Sequence, residues 1–347
     1  MVSQVNNANW LHWIERLMET SAPRPFPASL PPSRFYCRLS EQPDHLVPSH
    51  RLREAGKGGS SGTLFVNPDA VFTRNGELPE ALAGNAPWLD NFALQGDMVW
   101  VREPGSHALD PFWLGTGSGD LLAGTQPGDP APADLPPQSL RVLATANVLT
   151  TATYASEHGK DWVEATSGLA KRFQERSYAP VGNLIHPFLV AALRRYYRYL
   201  IRTGVLTLGD HQSSRRYVAH NESVARFFHH QLTSTVAAIV GEPVKPSYLY
   251  LASYQGGAEL KKHTDREQCE FSITLCLDYS PEPRRETRWP IHLHAPTGRV
   301  TVFQAIGDGL LYRGCKLPHS RDPLPQSDTS TSIFFHYVRQ DFSGSLD

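Results

Sequence analysis

The chain has 347 residues, 40% of them hydrophobic and 19% charged, with 33 basic and 34 acidic side chains and a net charge of -1. That length supports one large domain or two smaller ones around a substantial core. The near-neutral balance argues against a dedicated nucleic-acid or membrane-surface binder, whose affinity rests on a basic excess. The four cysteines, Cys37, Cys269, Cys276 and Cys315, form no C-x-x-C pair, which speaks against a zinc ribbon, a thioredoxin-like site or a secreted disulfide scaffold. The start of the chain lacks a basic stretch followed by an apolar one, and no apolar run is long enough to span a bilayer, so a cytosolic location is expected.

Residues 10–18 read as a short amphipathic helix. The run Gly56-Lys57-Gly58-Gly59-Ser60-Ser61-Gly62-Thr63 has the composition of a surface loop, and its order of glycine, lysine and hydroxyl residues does not fit a phosphate-binding loop. Residues 63–66 and 98–101 read as strands. From 115 to 138 the chain is rich in Gly, Pro, Ala and Asp, which suggests a linker or long surface loop and a soft boundary.

Two helices follow. Residues 187–202 place Leu189, Leu193, Tyr196 and Leu200 on one face, with Arg194, Arg195, Arg198 and Arg202 expected on a solvated face, and Gly204 ends the run. A second helix is expected from Asn221, as its N-cap, to Gly241, with Val224, Phe228, Leu232, Val236 and Ile239 facing the core. After Pro246 the pattern becomes short β-type runs at 248–254, 271–277, 291–294, 300–303, 309–313 and 332–338. Six short strands punctuated by Gly, Pro and Asp imply a sandwich or jelly-roll barrel, and helices before strands make the class α+β.

The chemistry concentrates in His263-Thr264-Asp265 and in His319, 54 positions after Asp265. Two imidazoles and one carboxylate on one face of a metal leave the opposite positions open, as in Fe(II) oxygenases. With 15 His and 34 acidic residues, about one or two H-x-[DE] matches arise by chance, so context has to decide. A second match, His220-Asn221-Glu222, sits at a helix start, where an acidic residue satisfies exposed amides.

The segment from about 248 to 338 resembles the catalytic core of the Fe(II)/2-oxoglutarate-dependent dioxygenases, most nearly the prolyl-4-hydroxylase-like branch. The residues that carry the resemblance are Tyr254-x-x-Gly257, His263-x-Asp265, the strand 271–277, Gly307-Asp308 opening a further strand, and His319. It implies a double-stranded β-helix (jelly-roll) core buttressed by helices, with His263, Asp265 and His319 as both metal ligands and catalytic residues. It also implies Fe(II) as cofactor, 2-oxoglutarate and O2 as co-substrates, and oxidation of a C–H bond coupled to formation of succinate and CO2. Related halogenases carry a small residue in place of the carboxylate, so Asp265 points to hydroxylation, desaturation or ring formation. The family usually sets a basic residue about ten positions after the second histidine, whereas this chain reads Asp328-Thr329-Ser330-Thr331-Ser332 there.

A carboxylate in a partly dry pocket still needs a partner. Arg321, two residues after His319, shares its face if the strand continues, and a guanidinium can clamp a carboxylate with two hydrogen bonds. The alternative for Arg321 is a loop pair with Asp322. Arg313, six residues before His319, shares the same parity; Tyr254, Ser330 and Ser332 are further hydrogen-bonding candidates. His292 and His294 share a strand face without an evident carboxylate partner and read as barrel or rim positions. Cys269 and Cys276 read as packing residues.

The division expected is 1–138 as an accessory, substrate-shaping region, 139–245 as a helical support and 246–347 as the catalytic core. The substrate expected is a small molecule, amino acid or peptide, with neither nucleic acid nor membrane as partner and the oligomeric state open. The rival readings are a non-catalytic β-helix binding or scaffold module, and a cupin-like metalloenzyme that does not use 2-oxoglutarate.

Overall fold

The computed structural model describes residues 33–39, 62–114, 122–210 and 212–347. The helix expected at 10–18 and most of the glycine-rich loop at 56–63 lie outside them. Strand β1 (Phe65–Val66) pairs with β5 (Leu149–Thr150), and β2 (Val71–Arg74), β3 (Asp97–Arg102) and β4 (Leu109–Trp113) form an antiparallel three-stranded sheet. Both faces of β3 are apolar, and Trp100, Val99 and Phe112 are fully buried.

The α-helices among the described residues are α1 (Pro137–Thr145), α2 (Tyr154–Arg176), α3 (Pro187–Arg202), α4 (Ser223–Gln231) and α5 (Thr233–Val240), with short strands β6 (Tyr178–Val181), β7 (Thr207–Leu208) and β8 (Arg216–His220) between them. No helix among the described residues is long and apolar enough to cross a membrane. The helix α3 has the expected bounds. The helix expected over 221–241 is instead two helices broken at Leu232, and its cap is Glu222, whose carboxylate accepts from the Ala225 amide and from the Tyr196 and Tyr197 hydroxyls. Asn221 adopts a positive φ of 49° and accepts a hydrogen bond from the Leu249 amide.

Of the four arginines of α3 only Arg202 is exposed as expected; the other three are engaged. Arg194 is buried, and its guanidinium and that of Arg198 both bond Asp278, with Glu282 a further partner of Arg194. Arg195 lies over the Tyr36 ring at 3.9 Å and donates to the Tyr36 carbonyl. A buried charge must be matched, and a carboxylate on the adjacent sheet matches this one.

Eight antiparallel strands follow: β9 (Val244–Tyr254), β10 (Leu260–His263), β11 (Phe271–Ser280), β12 (Ile291–Ala295), β13 (Gly298–Val302), β14 (Gly309–Tyr312), β15 (His319–Arg321) and β16 (Thr329–Arg339). They fall into a large sheet of order β6-β14-β11-β16-β9-β8-β7 and a small sheet of order β10-β15-β12-β13. The chain changes sheet at every step from β9 to β16 except β12–β13, which is the double-stranded β-helix, a jelly roll. The class is α+β, as expected.

Alternation gives the large sheet two different faces. Phe271, Ile273, Leu275, Ile333, Phe335 and Tyr337 belong to the hydrophobic core that includes α3, α4 and the N-terminal strands. Within that core Phe35 packs edge-on against Tyr196 and Phe228. The opposite face, toward the small sheet, carries Ser272, Thr274, Ser330, Ser332 and His336, all buried. A separate cluster, including Ile291, Leu293, Leu310 and Tyr312, fills the space between the sheets.

A bulge in β11 between Cys276 and Asp278 turns Asp278 toward α3. Asp278→Ala would leave the Arg194 guanidinium short of its main counter-charge, and we expect a loss of about 3 kcal/mol in urea unfolding. Glu282→Ala, at a half-exposed position, should cost about 1 kcal/mol or less in the same measurement.

Candidate metal centre

The turn after β9 runs through Gly257, whose φ of 78° suits glycine, and leads into β10. His263 closes β10 and lies directly opposite His319, the first residue of β15. Asp265 follows two residues later, its amide donating to the Gly314 carbonyl at 3.0 Å. Ligand atoms of His263, Asp265 and His319 all lie within 4.8 Å of one another. Asp265 Oδ1 is 3.6 Å from Nε2 of each histidine.

The remaining atoms of the three side chains are occupied in the way a metal requires. His263 Nδ1 is 2.8 Å from the Lys261 carbonyl, and His319 Nδ1 is 3.2 Å from the Leu317 carbonyl. A carbonyl only accepts, so each Nδ1 carries the proton and each Nε2 keeps its lone pair. Asp265 Oδ2 accepts from the Ser272 hydroxyl at 3.0 Å, leaving Oδ1 for a cation. This donor set, two neutral imidazole nitrogens and one carboxylate oxygen on one side, suits Fe(II) with open positions opposite.

Burial alone would raise the Asp265 carboxyl, but the neighbouring His263, the charge that His319 and His336 take up at acid pH, and the Ser272 hydroxyl hold it at about 2. Burial pushes His319 down, while the adjacent Asp265 carboxylate pushes the more open His263 up. At neutral pH Asp265 is therefore an anion and His319 a neutral base.

Three groups around the triad escape a reading of the sequence. His336 Nδ1 lies 2.9 Å from Ser272 Oγ, and since that hydroxyl donates to Asp265, His336 donates to it. Burial lowers His336 to about 4, which keeps it neutral. The third is Tyr312, whose hydroxyl sits 3.4 Å from His319 Nε2. Only sheet register brings these residues together: Ser272 pairs with both Tyr312 and His336. Asp265, Cys269 and His336 also bring ligand-type atoms within 4.8 Å, but Ser272 Oγ already bridges Asp265 and His336.

Arg321 is buried two residues beyond His319, and both side chains point between the sheets. It donates to the Trp289 carbonyl at 2.6 Å and to Gln304 Oε1 at 3.3 Å, and it stacks on the Trp289 ring at 4.6 Å. Among the described residues no carboxylate pairs with it. Asp322 turns the other way, to His292 and Arg299. Tyr254 is buried beside Trp289, its hydroxyl accepting from Arg216. Ser330 and Ser332 share the inner face of β16 with His336.

Arg313 is not brought to this site. It lies over the Phe173 and Phe271 rings at 5.2 Å, on the helix side of the large sheet. The strand ends at Tyr312, so a turn interrupts the parity that would have aligned Arg313 with His319. His292 bonds Asp322 and Thr301, and His294 bonds Ser320, so neither shares the triad's donors. All four cysteines are free thiols, Cys269 and Cys276 among the buried ones.

No family model matches the sequence, and neither does any curated protein. Among solved structures the chain is similar to the non-haem α-ketoglutarate-dependent epimerase SnoN from nogalamycin biosynthesis, at 16% identity over 51% of this chain and 83% of that one, TM-score 0.43. It is also similar to a Pseudomonas putida prolyl-4-hydroxylase, at 15% identity over 49% and 98%, TM-score 0.40. A third is HygX from Streptomyces hygroscopicus, which holds nickel, 2-oxoglutarate and hygromycin B, at 13% identity over 50% and 88%, TM-score 0.41. At these identities the likeness is one of fold.

Proposed function

We propose that this chain is a non-haem Fe(II)- and 2-oxoglutarate-dependent oxygenase that hydroxylates a C–H bond of a small molecule, amino acid or peptide. The observation that carries the reading is the triad itself, with its two Nε2 lone pairs and Asp265 Oδ1 converging while every other polar atom of the three side chains is tied back. His263, Asp265 and His319 would hold Fe(II), which when bound supplies the site for 2-oxoglutarate and O2 and the oxidising chemistry.

The rest falls to the protein. Arg321 supports the 2-oxoglutarate assignment, because a buried guanidinium without a carboxylate partner is costly unless an anion joins it. The distal carboxylate of 2-oxoglutarate fits that role, with the Tyr254, Ser330 and Ser332 hydroxyls as further donors. The apolar cluster between the sheets keeps the surroundings dry, which strengthens each of these contacts. The retained carboxylate of Asp265 favours hydroxylation over halide transfer. Residues 246–347 would be the catalytic core and 139–245 its helical support. The described elements of 1–138 rest on α3 and α4, and the region as a whole would be the accessory, substrate-shaping part.

The first test is anaerobic titration of the metal-free protein with Fe(II) and then 2-oxoglutarate, following the visible charge-transfer band. Wild type should develop the band and His319→Ala should not. Arg321→Ala should still bind the metal but need about a hundredfold more 2-oxoglutarate, since a charge-assisted contact is worth up to about 3 kcal/mol. Metal binding without a band would move the assignment to a cupin-like metalloenzyme, and no metal binding would leave a binding module.

A second prediction concerns Gly314. A Cβ there would stand 2.5 Å from Asp265 Oδ2, 2.6 Å from Ser272 Oγ and 2.4 Å from the Cys269 carbonyl. Gly314→Ala should therefore displace the carboxylate and cut Fe(II) affinity by about 10–100-fold in the same titration. Ser272→Ala should lie at the lower end of that range, because it removes one hydrogen bond and leaves the carboxylate room. Equal affinity in both variants and wild type would sink the idea that Oδ2 must be anchored.

A further inference from the structure

The hydroxyl of Tyr312 stands beside the triad without a part in the chemistry proposed above. In the register of the large sheet Tyr312 faces Ser272, so its side chain joins Ser272 and Thr274 on the inner face, where it is only 1% exposed. Its ring meets that of His319 edge-on, with centroids 4.8 Å apart. Among the described residues its hydroxyl has two hydrogen-bond neighbours, His319 Nε2 at 3.4 Å and Thr274 Oγ1 at 3.5 Å, both long for a hydroxyl.

The contact with Nε2 belongs to the metal-free state. His319 carries its proton on Nδ1, so Nε2 accepts and Tyr312 donates. That lone pair is the one a metal takes. With a metal in place the Tyr312 O–H loses its acceptor, Thr274 at 3.5 Å is a poor replacement, and a buried hydroxyl left alone is costly. A first-row metal stands about 2 Å from an imidazole nitrogen, so a hydroxyl 3.4 Å from Nε2 borders the positions that the triad leaves open. A phenol is protonated at neutral pH, and it meets those positions as a hydrogen-bond donor.

Thr274 ties this hydroxyl to the proposed carboxylate clamp. Its side chain contacts Tyr312, while its backbone carbonyl accepts from Gln304 Nε2 at 2.8 Å, and Gln304 Oε1 accepts in turn from Arg321 at 3.3 Å. One residue of β11 thus steadies a donor beside the metal position and a second donor two residues along β15 from His319. 2-Oxoglutarate carries a carboxylate at each end, and a hydrogen bond to an anion is the strong kind. Building on the oxygenase reading, we propose that the Tyr312 hydroxyl hydrogen-bonds, as donor, to the metal-bound carboxylate of 2-oxoglutarate, while Arg321 takes the distal one. Tyr312 is then the residue that recognises the keto-acid end of the co-substrate.

The test is anaerobic titration of the full-length, Fe(II)-loaded protein with 2-oxoglutarate and with pyruvate, which keeps the keto-acid end but lacks the distal carboxylate, following the charge-transfer band. Tyr312→Phe keeps the ring and should load Fe(II) at least as well as wild type. It should bind both keto acids about tenfold more weakly, as a lost hydrogen bond to a charged group requires. Its band should move to longer wavelength, because a carboxylate that no longer shares its charge with a donor gives more of it to the metal. Arg321→Ala should weaken 2-oxoglutarate and leave pyruvate unchanged. Wild-type affinity for both keto acids with an unshifted band in Tyr312→Phe would overturn the proposal by itself and leave the hydroxyl as a cap on Nε2 of the metal-free site. Loss of Fe(II) binding by a Tyr312→Phe protein of wild-type melting temperature would also overturn it, in favour of Tyr312 as a metal ligand. A wild type that loads Fe(II) and shows no band would overturn it together with the 2-oxoglutarate reading.

Discussion

The polar groups on the inner face of the large sheet have to satisfy one another, because that face is closed off from water by the small sheet. A buried donor or acceptor left alone costs about 1–3 kcal/mol, more if it is charged. The chain Asp265–Ser272–His336 meets the requirement with one hydroxyl that donates to a carboxylate and accepts from an imidazole. Thr274 and Tyr312 lie at 3.5 Å and continue the same pattern toward His319. The metal geometry follows from this closure: once Oδ2 and both Nδ1 atoms are engaged, the three remaining donors face one point. Arg321 stands apart because its contacts are to neutral oxygens and a ring, so its positive charge is solvated but not neutralised.

How much of this is legible in the sequence depends on how local the cause is. The strands 271–280 and 329–339 can be read because their apolar and aromatic runs are bounded by turn residues. The triad can be read because His263 and Asp265 are two residues apart and His319 sits in a recognisable position relative to a strand. Ser272 and His336 cannot, being 64 residues apart and joined only by register. Arg313 misleads because alternation holds only within one strand, and β14 ends one residue before it.

The helical layer shows the same limits. The helix α2 spans 23 residues, yet buries only Tyr154, Thr166 and Phe173. Its apolar stripe is too thin for periodicity to announce it. The break at Leu232 is hidden for the opposite reason, since Val224, Phe228, Leu232 and Val236 keep a four-residue spacing straight across it. The arginines of α3 are where composition is least informative. A run of four basic residues on one helix reads as a surface, but Asp278, about eighty residues away, draws two of them inward. The helix thereby gains an electrostatic lock to the sheet in addition to its apolar contact.

The pairing of β10 with β15 has a consequence for fidelity. His263 and His319 face each other across two strands of only four and three residues, one of them bulged between Leu260 and His263. Side chains alternate along a strand, so a slip of one residue would send one imidazole out to solvent while the other stayed in. Strands this short carry few hydrogen bonds of their own to resist such a slip. What opposes a slip of β15 is its second ladder, to β12, where Leu293 faces His319 and His292 faces Ser320, together with the stack of Arg321 on Trp289. Arg321, proposed for the co-substrate, thus also helps to hold the register of the strand that carries His319.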